Sequence, residues 1–456
     1  MASSIAQLPL SLKQKAAAFL NPVFIATVAR PLGFTWRNTP LALPHLVAFF
    51  ARQILGGNLS MPELARRAGS AFTPEAFCIA RGKLPITLLR HLLQRIGEAA
   101  GAAEGRWKGH RLWHMDGTGI SMPDTPALQK RFGQSGQQKP GCGFPTSHVL
   151  CLFDVASGLL QDCIPSPLRT HDMADAGRLH PYLAPGDILI ADRAFESFVH
   201  LAMLIRAGIH AILPAHQKRR IDFRRKRRRR SRGKPPTRRC KSGRKPPLYD
   251  REVIRKCDSR DQIVRWRRPV DKPDWISQEE FDSLPETITV RELRRCVVMD
   301  DGCRLEITLI TTLLEEKRYL AEELLAVLKA RWGVEVNLRH LKTTMKMNIL
   351  RSKTVAGIER EIWMYAIVYN AVRLVMLEAA AKQQTAVERL SFADALYWVR
   401  HGDLALPVPK LSLVLHRPGR VEPRLLKRRR DQYGRLTKPR QQMRKASRRR
   451  RSRYKI

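Results

Sequence analysis

Residues 186–192 read Gly-Asp-Ile-Leu-Ile-Ala-Asp, an apolar run that ends in Asp192. A continuous apolar run of this length, without the alternation of a strand that has one wet face, marks a central strand buried on both sides of a sheet. Arg111-Leu112-Trp113-His114-Met115 is a second short apolar run, closed by Asp116-Gly117. Between the two, His148 to Val155 and Leu159 to Ile164 flank Ser157-Gly158, a hairpin signal. A helix is expected over Thr170 to Leu183, with Thr170 or Asp172 as its cap. Beyond Asp192, Phe198 to Ala207 reads as a helix closed by Gly208, and His210 to Pro214 as a short strand. Strand, hairpin, helix, strand, helix, strand is a mixed α/β layout, not a bundle or a sandwich.

Residues 218 to 245 interrupt this layout with 17 Lys/Arg and one acid, Asp222. A block of like charges repels itself, so a loop or a nucleic-acid contact is expected there. Past it, Tyr249 to Lys256, Gln262 to Arg267, Ile288 to Val298 and Arg304 to Leu313 alternate well enough for a small β insertion. No proline occurs from Glu286 to Leu406, which permits long helices, expected over Tyr319 to Met345 and Gly357 to Ala381. Ahead of the sheet, Ser60-Met61-Pro62-Glu63 is a capping box for a helix to about Arg67, and Thr73-Pro74-Glu75 opens another through Ala80 to about Lys83. Two such helices resemble a helix-turn-helix, which would point Arg81 and Lys83 toward DNA; two ordinary core helices are the alternative. The expected division is a helical domain over 1–105, a catalytic domain over 106–217 and 316–400, a basic loop with β insertion over 218–315, and a basic tail over 401–456.

Composition narrows the function. The chain has 456 residues, with 83 Lys+Arg against 41 Asp+Glu, a formal charge of +42. At roughly 150 residues per domain that length allows about three domains. Residues 417 to 456 hold 18 Lys/Arg and two acids, so this tail and the 218–245 run carry most of the surplus. A polyanionic partner is expected. Trp363 to Ala381 is the most apolar stretch, but Asn370, Arg373 and Glu378 interrupt it, so a core helix and not a membrane span is expected. The start MASSIAQLPLSLKQ lacks the parts of a secretion signal. Eight cysteines without a Cys-x-x-Cys pair suggest neither a zinc site nor a disulfide framework, and reduced thiols in a cytoplasm are expected.

In the helix expected over Tyr319 to Met345, Arg331, Glu335 and Lys342 stand at offsets that, at about 100° per residue, put them within about 40° of one another. Leu325, Trp332 and Val336 lie about 100° to 140° round the same axis and would seat the helix on a sheet. An ordinary surface helix with an Arg331–Glu335 pair worth about 0.3 kcal/mol would show the same stripe. The combination is more telling. Two strands that each end in an Asp, with a helix presenting a Glu, can bring three carboxylates to one end of a sheet. Such a cluster repels itself unless divalent cations sit in it, and Mg²⁺ prefers hard oxygen ligands. Two ions about 3.5 to 4 Å apart can clamp the attacking and leaving oxygens of a phosphoryl displacement, which is nuclease or strand-transfer chemistry.

The order Asp116, Asp192, Glu335, with Asp192-Arg193-Ala194-Phe195 after the second Asp, resembles the DDE transposases of the insertion-sequence-four group. Their hallmark is Tyr, two residues, Arg, three residues, Glu, six residues, Lys; Arg331, Glu335 and Lys342 match the last three. The likeness extends to DGTGISMPDTPALQKRFG, HLKTTMKMNILRSKT, WMYAIVYNAVR and LLKRRRDQYGRLTKPR, most of residues 111 to 440. It implies a ribonuclease H-like catalytic domain with a β insertion between the second Asp and the Glu. Leu328 stands where the family has Tyr, so a phenol on the DNA backbone is missing. Gly333 is unfavourable inside a helix by about 1 kcal/mol relative to Ala.

Asp116 and Asp192 are then expected to ligate Mg²⁺, two ions with Mn²⁺ able to substitute, and Glu335 to complete the site and orient the water or 3′ hydroxyl. Arg331 and Lys342 would grip phosphate, with Arg193 a weaker candidate. Asp154 is the rival carboxylate. His114 is expected to be a strand residue satisfied by its neighbours. The resemblance implies double-stranded DNA as partner, both element ends and target, held by a homodimer of a cytoplasmic, nucleoid-associated protein; a hairpin intermediate occurs in several members of the group. The basic segments would hold DNA without choosing it, since phosphate contacts carry no sequence information. A structure-selective nuclease of the same fold and a transposase-derived DNA-binding protein without cleavage activity are the rival readings.

Overall fold

The computed structural model describes residues 20–99, 105–136, 138–170, 172–217, 219, 221–223, 251–298, 304–402, 407–414, 438–439 and 441–446. Most of the 218–245 run, most of the tail from Arg417, and the N-terminal stretch read for a secretion signal lie outside the described residues.

Among the described residues, nine strands form one sheet: β1 (Leu112–Ser121), β2 (Thr146–Asp154), β3 (Leu160–Pro167), β4 (Ile188–Ala191), β5 (His210–Pro214), β6 (Arg251–Asp258), β7 (Asp261–Arg267), β8 (Thr287–Val298) and β9 (Arg304–Thr311). Their order in space is β3-β2-β1-β4-β5-β9-β8-β7-β6. The apolar runs that announce β1 and β4 lie side by side and parallel, Leu112 opposite Ile188 through Met115 opposite Ala191. Each is covered on both faces. Trp113, Met115, Leu189 and Ala191 join one apolar layer, and Ile188 and Ile190 join another. β5 adds in parallel, and β2 and β3 add antiparallel as the hairpin about Ser157-Gly158. The β insertion extends this same sheet, because β9 pairs with β5 through Ile212 and Thr311. The mixed α/β class is therefore what the chain adopts.

Among the described residues, five helices precede the sheet: α1 (Pro22–Ala29), α2 (Leu43–Leu55), α3 (Met61–Arg67), α4 (Pro74–Gly82) and α5 (Ile86–Ala99). Ser60 Oγ accepts from the Glu63 amide at 3.4 Å and Thr73 Oγ1 from that of Ala76 at 3.1 Å, so α3 and α4 start at the caps that the sequence marks. The expectation that Arg81 faces DNA is overturned. Its side chain is buried, donating to Gln53 Oε1 at 3.0 Å and Ser352 Oγ at 3.3 Å and lying 4.9 Å from the centre of the Phe50 ring. Lys83 is exposed. In the pairing expected of a recognition helix, burial of Arg81 costs that helix its first base-reading cation, because a guanidinium that is bonded inside cannot reach a groove.

After β1 come α6 (Pro126–Phe132), α7 (Asp172–Ala176), α8 (Phe198–Arg206), α9 (Gln278–Asp282), α10 (Ala321–Lys329), α11 (Trp332–Arg339), α12 (Val355–Lys382) and α13 (Phe392–His401). The helix expected over Thr170 to Leu183 is only α7 and a 3₁₀ turn, His180–Tyr182, since Gly177 directly follows α7 and Pro181, inside the turn, has no N–H to continue the ladder. α12 has the length and hydropathy to cross a membrane, but here it is the core helix, with nearly every residue from Ile358 to Ala380 buried. Its polar residues are answered inside the protein. Asn370 bonds both the N–H and the C=O of Leu160, Arg373 donates to Ser157 O, and Glu361 accepts from Asn58 and from the amides of Arg351 and Ser352. α12, the N-terminal helices and one face of β1 to β3 bury a common apolar layer.

Candidate active site

β1 and β4 deliver the two aspartates. Met115 and Ala191 are the last registered pair, so Asp116 and Asp192 are the next residues on two adjacent parallel strands, whose spacing is about 4.8 Å. Alternation along β1 turns Trp113 and Met115 to the layer under α7 and α8. It turns His114 and Asp116 to the opposite face, where α11 lies: a Cβ on Gly333 of α11 would be 3.9 Å from His114 Cε1. Asp192 caps a 3₁₀ turn, Arg193–Phe195, accepting from the Arg193 amide at 2.6 Å, and the Arg193 Nε is 3.8 Å from the same oxygen. Asp116 Oδ1 accepts from the Gly117 amide at 2.8 Å.

The single helix expected over Tyr319 to Met345 is three pieces. At Ala330 and Arg331 the ladder tightens: Arg331, Gly333 and Val334 donate to carbonyls three residues back, at 3.1, 2.9 and 2.9 Å. A three-residue turn rotates the chain more per residue than an α turn, so every face after it shifts. The seating face expected of Leu325, Trp332 and Val336 is thereby corrected. Leu325 is buried in α10, but Trp332 is 59% exposed, and α11 seats through Val334 and Leu338. A π-helical turn, His340–Thr344, follows and carries Lys342. The chain then returns to the end of β1, where Ser121 exchanges hydrogen bonds with Asn348 O and the Leu350 amide at 3.1 and 2.9 Å.

Glu335 is held by Arg331, Nη2 to Oε1 at 3.2 Å, and its side chain is 43% exposed. Charges meet here. Burial pushes Asp116 up to about 6, with the Gly117 amide and Arg331 pulling it down and the carboxylates of Asp192 and Glu335 pushing it further up. All three acids, and Arg331, therefore act on one neighbourhood. Among the described residues no three His, Cys, Asp or Glu side chains are grouped closely enough to hold an ion as they stand. Glu335 is turned to Arg331. The donor set is carboxylate oxygen only, and Asp116 carries an ionisation cost that an adjacent cation relieves, so these residues suit a hard divalent ion.

Asp154 lies elsewhere. Its carboxylate accepts from Arg111 Nε at 2.8 Å and from the Ser157 amide and hydroxyl at 2.9 and 2.5 Å, which fixes the hairpin. His114 is 2% exposed and burial, with Arg331 next, pushes it down to about 4. The expectation that its neighbours satisfy it fails at Nε2, which has no hydrogen-bond partner among the described residues. Leu328 is buried with Ile188, Ile190 and Leu324. Sequence reading passed over His148 and Asp172, whose Nδ1 and Oδ1 are 2.8 Å apart beside Gly117. The only signal for them is a His on a strand and an Asp at a helix start.

The family model described as the transposase DDE domain matches residues 107–371. Transposase InsG for insertion sequence element IS4, from Escherichia coli (strain K12), is 23% identical over 315 residues, 67% of this chain and 62% of that protein. The chain thus spans less than two thirds of that relative's length. The piggyBac transposase in its synaptic complex with hairpin DNA, solved by cryo-EM, is 9% identical with a TM-score of 0.43, over 86% of this chain and 80% of that one. With the domain model covering more than half of its residues, the chain belongs to the DDE transposases, in the insertion-sequence-four group.

Proposed function

We propose that the chain binds the ends of an insertion sequence, cuts DNA there and joins the freed 3′ ends to target DNA by a cut-and-paste route. The observation that carries this reading is the registration of β1 on β4, which sets Asp116 beside Asp192 on the face that α11 covers with Glu335. We assign this unit a ribonuclease H-like catalytic role, with the helices before β1 contributing to DNA binding. Asp116 and Asp192 would bind Mg²⁺ or Mn²⁺, and Glu335, released from Arg331, would complete the set. When bound, two such ions supply charge for both the attacking and leaving oxygens of an in-line displacement. Arg331 then grips the phosphate with its fork, Lys342 adds a point charge, and Arg193 approaches from the turn after β4. The partners are double-stranded DNA at the element ends and the target, with two copies of the chain pairing two ends in the cytoplasm.

The test is a gel assay on the full chain with an end fragment of its own element. Asp116→Asn, Asp192→Asn and Glu335→Gln should each abolish Mg²⁺-dependent cleavage and leave DNA binding near that of the native chain. Cleavage unchanged in any of them removes that residue from the site. Binding without cleavage by the native chain would instead identify a transposase-derived binding protein.

A further inference from the structure

Behind Asp116, on the opposite face of β1, a histidine ring bonded to an aspartate lies against the peptide that follows Asp116. His148 stands on β2 opposite Gly119, and its ring reaches over Gly117: a Cβ built there would fall 2.1 Å from His148 Cε1 and 2.6 Å from Nε2. The ring therefore fills the volume that any side chain at 117 would need, and the Gly117 backbone rests against it. His148 Nδ1 donates to Asp172 Oδ1 at 2.8 Å, and each of these side chains is about one quarter exposed, at 23% and 24%. Asp172 opens α7, which is itself tied down: Ser166 Oγ of β3 donates to Asp175, whose other oxygen accepts from Arg178 Nη1 at 2.7 Å. On the far side of the same peptide, the Gly117 amide donates to Asp116 Oδ1. The Asp172 hydrogen bond, more than any other influence, holds His148 above the ordinary imidazole range, which strengthens the pairing.

We propose that His148 and Asp172 are positioning residues for Asp116: the paired imidazole clamps the Gly117 peptide, and that peptide holds the Asp116 carboxylate in one orientation toward a divalent cation. This rests on Asp116 being a metal ligand, and it adds two residues that touch neither metal nor DNA. It also explains the glycine. Any side chain at 117 would displace the ring and unseat the amide that bonds Asp116.

The direct measurement is Mn²⁺ binding by the full chain without DNA, followed by electron paramagnetic resonance, with the Mg²⁺ dependence of cleavage beside it. His148→Ala and Asp172→Asn should each weaken Mn²⁺ binding by about tenfold, within the range for groups that orient metal ligands. The Mg²⁺ needed for half-maximal cleavage should rise by the same factor, with the lost rate recovered at high Mg²⁺. A His148→Ala/Asp172→Asn double variant should be no worse than the worse single one, because both act through one contact. His148→Phe keeps the ring over Gly117 and loses the Asp172 bond; it should fall between native and Ala, and it answers for the case in which Ala fails to fold. Native Mn²⁺ affinity in folded His148→Phe and Asp172→Asn overturns the proposal. Asp116→Asn, run alongside, separates the two levels: if it abolishes Mn²⁺ binding while the His148 and Asp172 variants do not, only the positioning role fails. If Asp116→Asn also leaves binding intact, the metal reading of the site fails with it.

Discussion

Arg331 Nη2 lies 3.2 Å from Glu335 Oε1, and the same guanidinium lowers the proton affinity of Asp116 and of His114. One cation thus acts on three titratable groups of the site. As an i,i+4 pair on a partly exposed helix it contributes only about 0.3 to 0.5 kcal/mol to stability. Arg331→Ala should leave the melting temperature near native and lower single-turnover cleavage by about 100-fold, as loss of one preorganised donor typically does. Because Arg331 opposes the upward shift of Asp116, its removal should also move the acid limb of the rate profile to higher pH. Arg331→Lys should move it less. An unmoved limb in Arg331→Ala would show that Asp116 does not feel this charge.

Asp116 gives a prediction about stability. Its folded value, about 6, stands above the ordinary 3.8, so the folded chain binds this proton more tightly than the unfolded chain does. Stability from this group therefore rises as pH falls from about 6 toward 3.8, and ionisation above 6 costs stability. Asp116→Asn cannot ionise. In EDTA at pH 7.5 it should melt higher than the native chain, the difference should vanish below pH 4, and added Mg²⁺ should raise the native melting temperature alone. A variant that melts lower than native at pH 7.5 would contradict the burial argument.

How far the site could be read beforehand follows from what kind of signal each residue carries. Asp116 and Asp192 were legible because an apolar run and the residue that closes it are neighbours in sequence, and a buried parallel strand needs such a run. The caps at Ser60 and Thr73 are local in the same way. Trp332 was misplaced because the tightened turn at Ala330 and Arg331 shifts the helical phase, and a fixed 100° step cannot anticipate it. Arg81 was misread because its partners, Gln53 and Ser352, belong to other helices and loops far along the chain. His148 and Asp172 meet only once α7 folds onto β2, so neither carries a spacing that marks the pair.

A second pH effect comes from the stacked pair His180 and His200, whose Nε2 atoms are 3.0 Å apart. His200 Nδ1 donates to Phe195 O at 2.8 Å, so its Nε2 accepts from His180. Burial pushes the two down to about 3 and about 4. The unfolded chain takes up these protons near 6.5 and the folded chain does not, so stability is fully present above about 6.5 and declines as pH falls below it, by up to about 1.4 kcal/mol per pH unit for each group. His180→Gln should flatten the urea-unfolding free energy between pH 6.5 and 5 by about one proton. A slope identical to native would mean that His180 titrates alike in both states. Through the Phe195 carbonyl the pair is bonded to the Arg193–Phe195 turn that Asp192 caps.

Leu328 stands where the family carries a tyrosine, and restoring that residue tests whether the difference is a loss. Leu328 is only 6% exposed and lies in the same apolar layer as Ile188, Ile190 and Leu324. Leu328→Tyr would add an aromatic ring to a filled layer and bring a hydroxyl that needs a partner. Overpacking of this kind costs about 1 to 3 kcal/mol, and an unbonded buried hydroxyl adds to it. The variant should therefore unfold at lower urea and gain no cleavage activity. If it instead cuts DNA faster at native stability, then α10 turns this position outward when DNA binds, and the leucine is a defect in the site and not an adaptation of its core.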